Sequence, residues 1–457
     1  MRISKTIALL LSCILTGYIA TAQEFLPTEY PDRIILTFGD ADANLAVTWR
    51  TDGSVSEGIV EIAKADGNPD FVRDKKSYKA KITPYDEAGV KANYFSLVMD
   101  DLEPNTLYAY RVGSEERWSE WFQTTTPSDE VAPFSFLYFG DAQNDLKSMW
   151  SRTIRQANLH GKKVNFMIHA GDLVNRGVND NEWGEWFYAG GWLYGMIPSI
   201  ATPGNHEYYK DENDNRKLTP LWQPTFENPM NGPKGLKESV YFVDYQGCRF
   251  ISFNTQGLFA DPENSPQPKW LDSVLANNDQ KWTIVTMHHP VYSSGYGRDN
   301  EELRNLLKPM FEKYDVDLVL QGHDHAYGRG GNVPVGLKNR NIDGPVYVVS
   351  VSGPKMYNLS LGDWMDRGAA SRQLYQLIDV SADTIHYASY TTSGELYDEF
   401  ELIKRDHQKL FIDHAANAEL EEALYPPMRY QERFEDKDWK EFNDRLKEYK
   451  AKKSQDQ

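Results

Sequence analysis

The chain has 457 residues, of which 40% are hydrophobic and 13% aromatic, enough to fill the cores of two domains, and this excludes a disordered or fibrous protein. It carries 67 acidic against 49 basic side chains, a net charge of −18, which becomes −20 without the two basic residues of the leader described next. This charge repels phosphate backbones and anionic lipids. We therefore expect no binding to a nucleic-acid scaffold and no polybasic membrane anchor, and an anionic ligand would need a local positive centre.

Residues 1–22 have the pattern of an export signal. Arg2 and Lys5 precede an apolar run from Ile7 to Ile19, and the small residues Ala20-Thr21-Ala22 follow in an A-x-A arrangement. The apolar run is too short to be assigned as a membrane-spanning helix. The pattern predicts an exported protein, periplasmic or secreted.

The sequence Leu10-Leu11-Ser12-Cys13 allows an alternative interpretation as a lipoprotein cleavage box, with anchoring through Cys13. Apolar sequence continues after Cys13, where a tether should turn polar, and this favours the cleaved leader. No later stretch is long and apolar enough for a transmembrane helix. Cys248 is the other cysteine of the chain, so the mature protein can form no intrachain disulfide.

Residues 28–127 have the pattern of a β-sandwich. Short apolar runs at Ile34–Phe38 and Leu45–Trp49 flank a turn, and apolar and polar residues alternate along the second run. The segment Leu102–Val112 is similar to the corner and strand of a fibronectin-type-III-like sandwich, with Trp49 as its inner-face aromatic residue. A linker rich in Thr, Pro and charge, Thr124–Pro133, follows.

Residues 133–404 alternate buried-strand runs with stretches of helix length, which predicts an α/β domain. The strand runs are Phe134–Phe139, Val164–Ile168, Trp282–Met287 and Val316–Leu320. A polar cluster follows each run, and Asp141 and Asp172 are separated by the length of one strand, crossover helix and strand. Because open α/β sheets bind ligands outside the carboxyl ends of their strands, we expect these polar side chains to meet at one sheet edge.

The polar side chains after the strands are oxygen and imidazole donors without a thiolate. They are Asp141, Asp172, Asn205, His288, His323 and His325. This set suits Zn, Mn or Fe and exceeds what a single tetrahedral ion needs, so it predicts two metal ions bridged by a carboxylate, the usual arrangement for cleaving phosphoesters. Each motif alone is more often a turn or a surface tract, whereas the ordered set at successive strand ends favours a site. His289 lies off this pattern and is interpreted as a surface or packing histidine.

The ordered set Asp141, Gly171-Asp172, Gly204-Asn205-His206-Glu207, His288 and Gly322-His323-Asp324-His325 resembles the calcineurin-like metallophosphoesterase superfamily. Together with the N-terminal sandwich it is similar to the purple acid phosphatase branch. The resemblance implies a four-layer α/β/β/α sandwich with a dimetal site at its edge. It assigns Asp172 as the bridging ligand, Asp141 and His325 to the first metal, and Asn205, His288 and His323 to the second. His206 would act as acid or electrostatic stabiliser at the scissile bond, with Glu207 and Asn175 supporting ligands or substrate.

Two positions depart from the resemblance. Purple enzymes have a tyrosine three residues after the bridging aspartate, where this chain has Asn175, so no purple colour is expected. Other branches have histidine two residues after the first aspartate, where Gln143 could bind the first metal through its amide oxygen. The run Gly171–Gly177 also resembles a loop of the Ser/Thr phosphatases, in which the carboxylate at the position of Asn175 orients the histidine and the arginine grips phosphate. This implies Arg176 as a phosphate contact, against the alternative of a solvated loop arginine.

Residues 405–457 form a charged extension with helical spacing of Trp439, Phe442, Leu446 and Tyr449 behind the breaker Pro426-Pro427. Packing on the chain's own catalytic domain is favoured over a homodimer or partner contact.

Taken together, these features predict an exported, acid phosphatase-like dimetal phosphoesterase. It would hydrolyse a small phosphorylated substrate by attack of a metal-bound hydroxide on phosphorus. The alternatives are a phosphodiesterase or nucleotide-directed hydrolase of the same fold, and a metal-dependent binding protein weakened in catalysis by Gln143 and Asn175.

Overall fold

The computed structural model describes residues 25–454 except 88, 161–162, 237, 333–338, 406–407 and 416–420, so the predicted leader and Cys13 lie outside the described residues. The N-terminal part is built from eight strands and one 3₁₀ helix, Pro69–Asp74. The strands are β1 (Asp32–Phe38), β2 (Leu45–Asp52), β3 (Ile59–Lys64), β4 (Lys76–Lys79), β5 (Lys81–Glu87), β6 (Val90–Met99), β7 (Leu107–Gly113) and β8 (Phe122–Thr125).

These strands form the predicted sandwich. Strands β1, β2, β6 and β5 lie in one sheet and β4, β3, β7 and β8 in the other. The indole of Trp49 is buried and stacks on Phe95 with 5.2 Å between ring centroids. The backbone N–H of Glu103 donates to the Tyr108 hydroxyl at 3.0 Å, a tyrosine corner of the kind found in immunoglobulin-like sandwiches.

The remaining strands build the catalytic part of the chain. They are β9 (Phe134–Phe139), β10 (Phe166–Ala170), β11 (Ser199–Thr202), β12 (Tyr208–Lys210), β13 (Arg216–Leu218), β14 (Tyr241–Tyr245), β15 (Cys248–Phe253), β16 (Trp282–Met287), β17 (Leu318–Gln321), β18 (Tyr327–Gly330), β19 (Asn339–Asn341), β20 (Val346–Val349), β21 (Met365–Ala369), β22 (Leu374–Val380), β23 (Thr384–Thr391), β24 (Leu396–Arg405) and β25 (Gln408–Asp413).

The sandwich and the catalytic part share one sheet. It has twelve strands in the order β19-β25-β24-β23-β22-β9-β10-β11-β1-β2-β6-β5. The junction is the parallel pairing of β1 with β11, where Thr37 lies opposite Ser199. A buried ion-pair cluster crosses the same junction, since both Arg33 and Arg50 bind the carboxylate of Asp180. The N-terminal sandwich is therefore an extension of the catalytic sheet and not a separately suspended module.

The second catalytic sheet has seven strands in the order β14-β15-β16-β17-β20-β18-β21. Its apolar inner face packs on the twelve-stranded sheet, and helices cover both outer faces. This confirms the four-layer α/β/β/α prediction. The helices are α1 (Ser151–Asn158), α2 (Asp180–Gly190), α3 (Leu193–Met196), α4 (Trp222–Thr225), α5 (Thr255–Ala260), α6 (Gln267–Ala276), α7 (Glu301–Lys313), α8 (Glu421–Leu424), α9 (Met428–Gln431) and α10 (Asp436–Ser454), with a π-helical turn at Leu146–Trp150 and a 3₁₀ turn at Asn205–Glu207.

The C-terminal end of the catalytic sheet differs from the predicted boundary at residue 404. Strand β24 continues to Arg405 and pairs with β25, so the chain leaves the sheet only after Asp413. The apolar face of α10 then packs on the loop that contains Leu359 and Leu361. No helix within the described part of the chain is long and apolar enough to cross a bilayer.

Candidate metal centre

The predicted metal ligands converge at the carboxyl ends of five strands drawn from both catalytic sheets. Asp141 follows β9, Asp172 follows β10, Asn205 follows β11, His288 follows β16, and His323 and His325 follow β17. Strands β9, β10 and β11 are mutually parallel, and β16 and β17 are parallel in the other sheet. Parallel pairing aligns the strand ends within each sheet, and contacts such as that of His288 with Asp172 and Asn205 bring the two sets together at one edge, as the sequence predicts.

Three of these side chains surround the Nε2 atom of His288. That atom lies 3.3 Å from Oδ2 of Asp172, 3.1 Å from Oδ1 of Asn205 and 3.1 Å from Nδ1 of His323. The Nδ1 atom of His288 lies 3.0 Å from the carbonyl oxygen of Ala170, which fixes the ring so that Nε2 points into the cluster. The arrangement fits the second metal position.

A neighbouring group fits the first metal position. Donor atoms of Asp141, Asp172 and His325 lie within 4.8 Å of one another. Gln143 lies among them, but its amide nitrogen faces the group, 2.8 Å from Oδ2 of Asp172 and 3.1 Å from Nε2 of His325. Gln143 is thus placed as a donor to the Asp172 carboxylate, whereas the sequence suggested its amide oxygen as a ligand.

The electrostatics of the cluster suit cations. Burial raises the pKa of Asp141 well above its usual range, and the neighbouring Asp172 carboxylate raises it further. Burial opposes ionisation of Asp172 as well, but His288 and His206 overcome this and lower its pKa. Among the described residues, Oδ1 of Asp141 is buried in this group without a hydrogen-bond partner. Buried oxygens of this kind are costly unless a cation or donor satisfies them, so the donor set fits bound metal ions.

The backbone at these strand ends is held in an uncommon conformation. Asp141, Asp172 and His323 have φ values of 24°, 51° and 72°, in the left-handed region that costs side-chain-bearing residues energy. Gly171 has φ of 86°, and a Cβ there would lie 2.6 Å from the His288 ring. A Cβ on Gly204 would lie 2.2 Å from the Asp172 carboxylate. The glycines therefore let the two ligand loops approach closely.

Two family models match the chain. The calcineurin-like phosphoesterase family matches residues 134–327, and the N-terminal domain of the purple acid phosphatases matches residues 31–126. The chain thus contains a calcineurin-like phosphoesterase domain preceded by a purple acid phosphatase N-terminal domain. It has the domain pair of the purple acid phosphatase branch.

Curated relatives and solved structures agree with this assignment. The chain is 24% identical to Fe(3+)-Zn(2+) purple acid phosphatase 12 of Arabidopsis thaliana over 82% of this chain and 80% of the relative. It is 29% identical to purple acid phosphatase 1 of Ipomoea batatas over 55% of this chain and 57% of the relative. The purple acid phosphatase PPD1 from yellow lupin seeds has the same fold, with a TM-score of 0.66 and 18% identity over 87% of this chain and 77% of that chain.

With this pair of domains, the chain is a metal-dependent phosphoester hydrolase with a dinuclear metal centre.

In this metallophosphoesterase, a buried carboxylate fastens two of the ligand loops together. Glu207 accepts hydrogen bonds from the backbone N–H groups of Asp172 (2.9 Å), Leu173 (2.9 Å) and Val174 (3.3 Å) in one loop and Gly204 (2.7 Å) in the other. Burial and the nearby Asp172 carboxylate raise the pKa of Glu207 to about 7. Glu207 therefore fixes the backbone of both loops without facing the metal positions.

His206 stands beside the cluster on its solvent side. Its Nδ1 atom lies 2.6 Å from the backbone carbonyl oxygen of Asn175, and its Nε2 atom lies 3.9 Å from Oδ2 of Asp172. The side chain is 27% exposed. The backbone of Asn175, and not its side chain, thus orients His206, so the change from aspartate to asparagine leaves this contact intact.

Arg176 is not brought to the metal positions. Its side chain is 65% exposed, and its Nε donates to Glu182 at 2.7 Å. This placement matches the alternative of a solvated loop arginine.

Three residues near the metal positions were missed at the level of sequence. His289 lies with His288 and His323 in a group of donor atoms within 4.8 Å, and its Nδ1 atom lies 2.8 Å from the Thr255 hydroxyl. Arg298 contacts the His323 ring and pairs with Asp324. Tyr357 packs against His325. Adjacency to His288 could have flagged His289, but no motif marks Arg298 or Tyr357.

Proposed function

We propose that the chain is an exported phosphatase for small phosphate esters, with Asp172 as the bridging ligand and His206 as the acid at the leaving group. The observation that carries the proposal is the position of His206, partly exposed beside a buried donor cluster and fixed by a backbone carbonyl. Two bound metal ions would supply the hydroxide nucleophile and neutralise charge on the phosphoryl oxygens.

The residues of the chain account for binding and proton transfer. Asp141 and His325 would hold one ion, and Asn205, His288 and His323 the other. Because the Asn175 carbonyl can only accept, Nδ1 of His206 carries a proton, and a second proton on Nε2 can be donated toward the site. A protonated His206 would then give that proton to the oxygen of the departing alcohol.

The His206→Ala variant tests this role. We expect it to keep near-normal metal content and to lose roughly 10² to 10⁴ in maximal rate, the usual contribution of a positioned general acid. The loss should be smaller for nitrophenyl phosphate than for alkyl phosphates, because a good leaving group needs little protonation. His414→Ala is the matched control, since His414 pairs with Glu401 away from the cluster.

Two results would contradict the acid role of His206. One is loss of metal comparable to that of Asn205→Ala. The other is an equal loss of rate across leaving groups of widely different pKa. Including a phosphodiester such as bis-nitrophenyl phosphate in the substrate series separates monoester from diester preference.

Export is the remaining part of the proposal and is supported by the leader pattern of residues 1–22. Expression of the full chain with its leader in a bacterial host should give a processed protein outside the cytoplasm that begins at Gln23. N-terminal sequencing and mass measurement check this. A lipid-modified Cys13 would instead establish the anchored alternative, and an unprocessed cytoplasmic chain would refute export.

A further inference from the structure

Tyr357, at the edge of the metal centre, has several basic side chains near its ring. The Tyr357 ring packs edge-on against His325, with 4.7 Å between ring centroids and an interplanar angle of 66°. The Tyr357 N–H donates to the His325 carbonyl at 2.7 Å, which fixes the residue to the ligand segment. Tyr357 is therefore part of the rim of the first metal position.

Three cations lie close to this ring. The guanidinium carbons of Arg298 and Arg429 are 5.5 Å and 5.8 Å from the Tyr357 ring centroid, and the ammonium of Lys355 is 5.5 Å from it. Arg298 is balanced by Asp324, whose carboxylate lies 2.6 Å from its Nε. Within the described part of the chain, neither Lys355 nor Arg429 has a carboxylate within ion-pair distance.

The C-terminal extension supplies one of these cations and holds the loop that supplies another. Arg429 donates to the Met356 carbonyl. Farther along, Arg445 donates to the carbonyls of Leu359 and Ser360 at 3.1 Å and 3.0 Å. These contacts tie the extension to the loop on both sides of Tyr357, so Lys355 and Arg429 are both held at the Tyr357 ring.

Attraction to the Tyr357 ring alone does not explain why three cations lie near it. A cation–π contact at a partly exposed site contributes about 0.5–1 kcal/mol, and the like charges repel one another at close range. The three cations also contrast with the net charge of −18 that the chain carries as a whole. A second anion would explain this positive group, if it binds at the rim while the scissile phosphate occupies the metal centre.

We propose that Lys355 and Arg429 bind a second anionic group, a phosphate or carboxylate, on the leaving group of the substrate. The preferred substrates are then phosphate esters with two separated anionic groups. This inference rests on the proposed phosphatase function, because the scissile phosphate must occupy the metal centre for the second group to reach the rim.

The test compares phenyl phosphate with 4-carboxyphenyl phosphate and with ADP in the metal-loaded full chain. For Lys355→Met and Arg429→Met we expect kcat/KM to fall about 3- to 30-fold on the two substrates with a second anion, mainly through KM, as for a charge contact at a partly exposed site. Phenyl phosphate should change less than about twofold. Lys437→Met, which removes an exposed charge paired with Glu435 on the same extension, is the control.

A second measurement separates charge from loop position and does not depend on turnover. Calorimetry should show the same loss of affinity for 4-carboxyphenylphosphonate, with phenylphosphonate unchanged, and Arg429→Lys should keep most of the affinity. Equal changes on all ligands, or no change on any, would overturn the proposal while phenyl phosphate hydrolysis persists. Absence of hydrolysis of every ester by the unsubstituted protein would instead refute the proposed function.

Discussion

The floor and the rim of the metal centre are built in different ways. The floor consists of side chains that directly follow buried parallel strands, and Asp141, Asp172 and His325 in it are almost completely buried. The rim consists of Tyr357 and basic side chains supplied by loops and by the C-terminal extension. The comparison teaches that the strands fix where metals bind, whereas long-range packing decides what else of a substrate is contacted.

Asp172→Ala should have the largest effect because it removes a floor residue shared by both metal positions. We expect it to abolish turnover and to lower the content of both metals, since Asp172 faces His288 at 3.3 Å and lies in the donor group of Asp141 and His325. His288→Ala should mainly empty the second position. Metal analysis of the purified variants checks both results, and retention of two metals with ordinary turnover in Asp172→Ala would refute the bridging assignment.

Glu207→Ala should have the next largest effect, although Glu207 faces neither metal nor solvent. Four backbone N–H groups would lose their acceptor, and we expect turnover to fall about 10- to 100-fold, as for other residues that orient ligands. Buried donors without partners cost about 1–3 kcal/mol each, so the melting temperature should also fall. Glu207→Gln should fall between Glu207→Ala and the unsubstituted protein, because its amide oxygen keeps an acceptor for two of the four N–H groups while its NH2 group cannot accept from the other two. Unchanged stability and turnover in Glu207→Ala would show that the loops hold their shape without it.

Phe442→Ala tests whether the extension maintains the rim and should affect turnover less. The buried ring packs in the apolar cluster with Leu359 and Leu446, and its truncation should cost about 3 kcal/mol. Hydrogen exchange should rise in α10 and in residues 355–364, and KM for 4-carboxyphenyl phosphate should rise more than KM for phenyl phosphate. Phe71→Ala in the N-terminal sandwich is the control. Faster exchange in α10 alone would separate the extension from the rim.

Arg176→Ala should have the smallest effect. Because the guanidinium is 65% exposed and pairs with Glu182, its removal should change kcat/KM less than about twofold and stability by at most about 1 kcal/mol. Steady-state kinetics on phenyl phosphate and thermal unfolding check this. A large fall in kcat/KM would show that Arg176 leaves Glu182 to bind phosphate.

The floor could be predicted because its signals are local. The runs Phe134–Phe139 and Trp282–Met287 are strands with those bounds, and polar residues after buried strands point to one sheet edge. The rim could not be predicted, because Tyr357 and Arg429 reach the metal centre only through contacts between segments that are distant in the sequence. The same holds for the role of Asn175, whose backbone makes the contact that sequence comparison assigns to its side chain.

The sequence also did not predict that the N-terminal sandwich and the catalytic part share one sheet. Strand β1 looks like an ordinary edge of a sandwich, and its partner β11 is a four-residue run that carries no pairing signal. For the C-terminal boundary, the hairpin of β24 and β25 runs through the charged residues near 405, where composition alone suggested the end of the domain.

The shared sheet has a consequence for synthesis of the chain. Arg33 and Asp180, which meet across the junction, are 147 residues apart in sequence, a separation that takes roughly 10 to 30 s to translate. Throughout that interval β1 lacks its partner β11, so the first segment made cannot close its sheet edge. An emerging chain with an open edge depends on chaperones to avoid aggregation. Under the proposed export, the same delay would favour passage of the unfolded chain through a translocation channel.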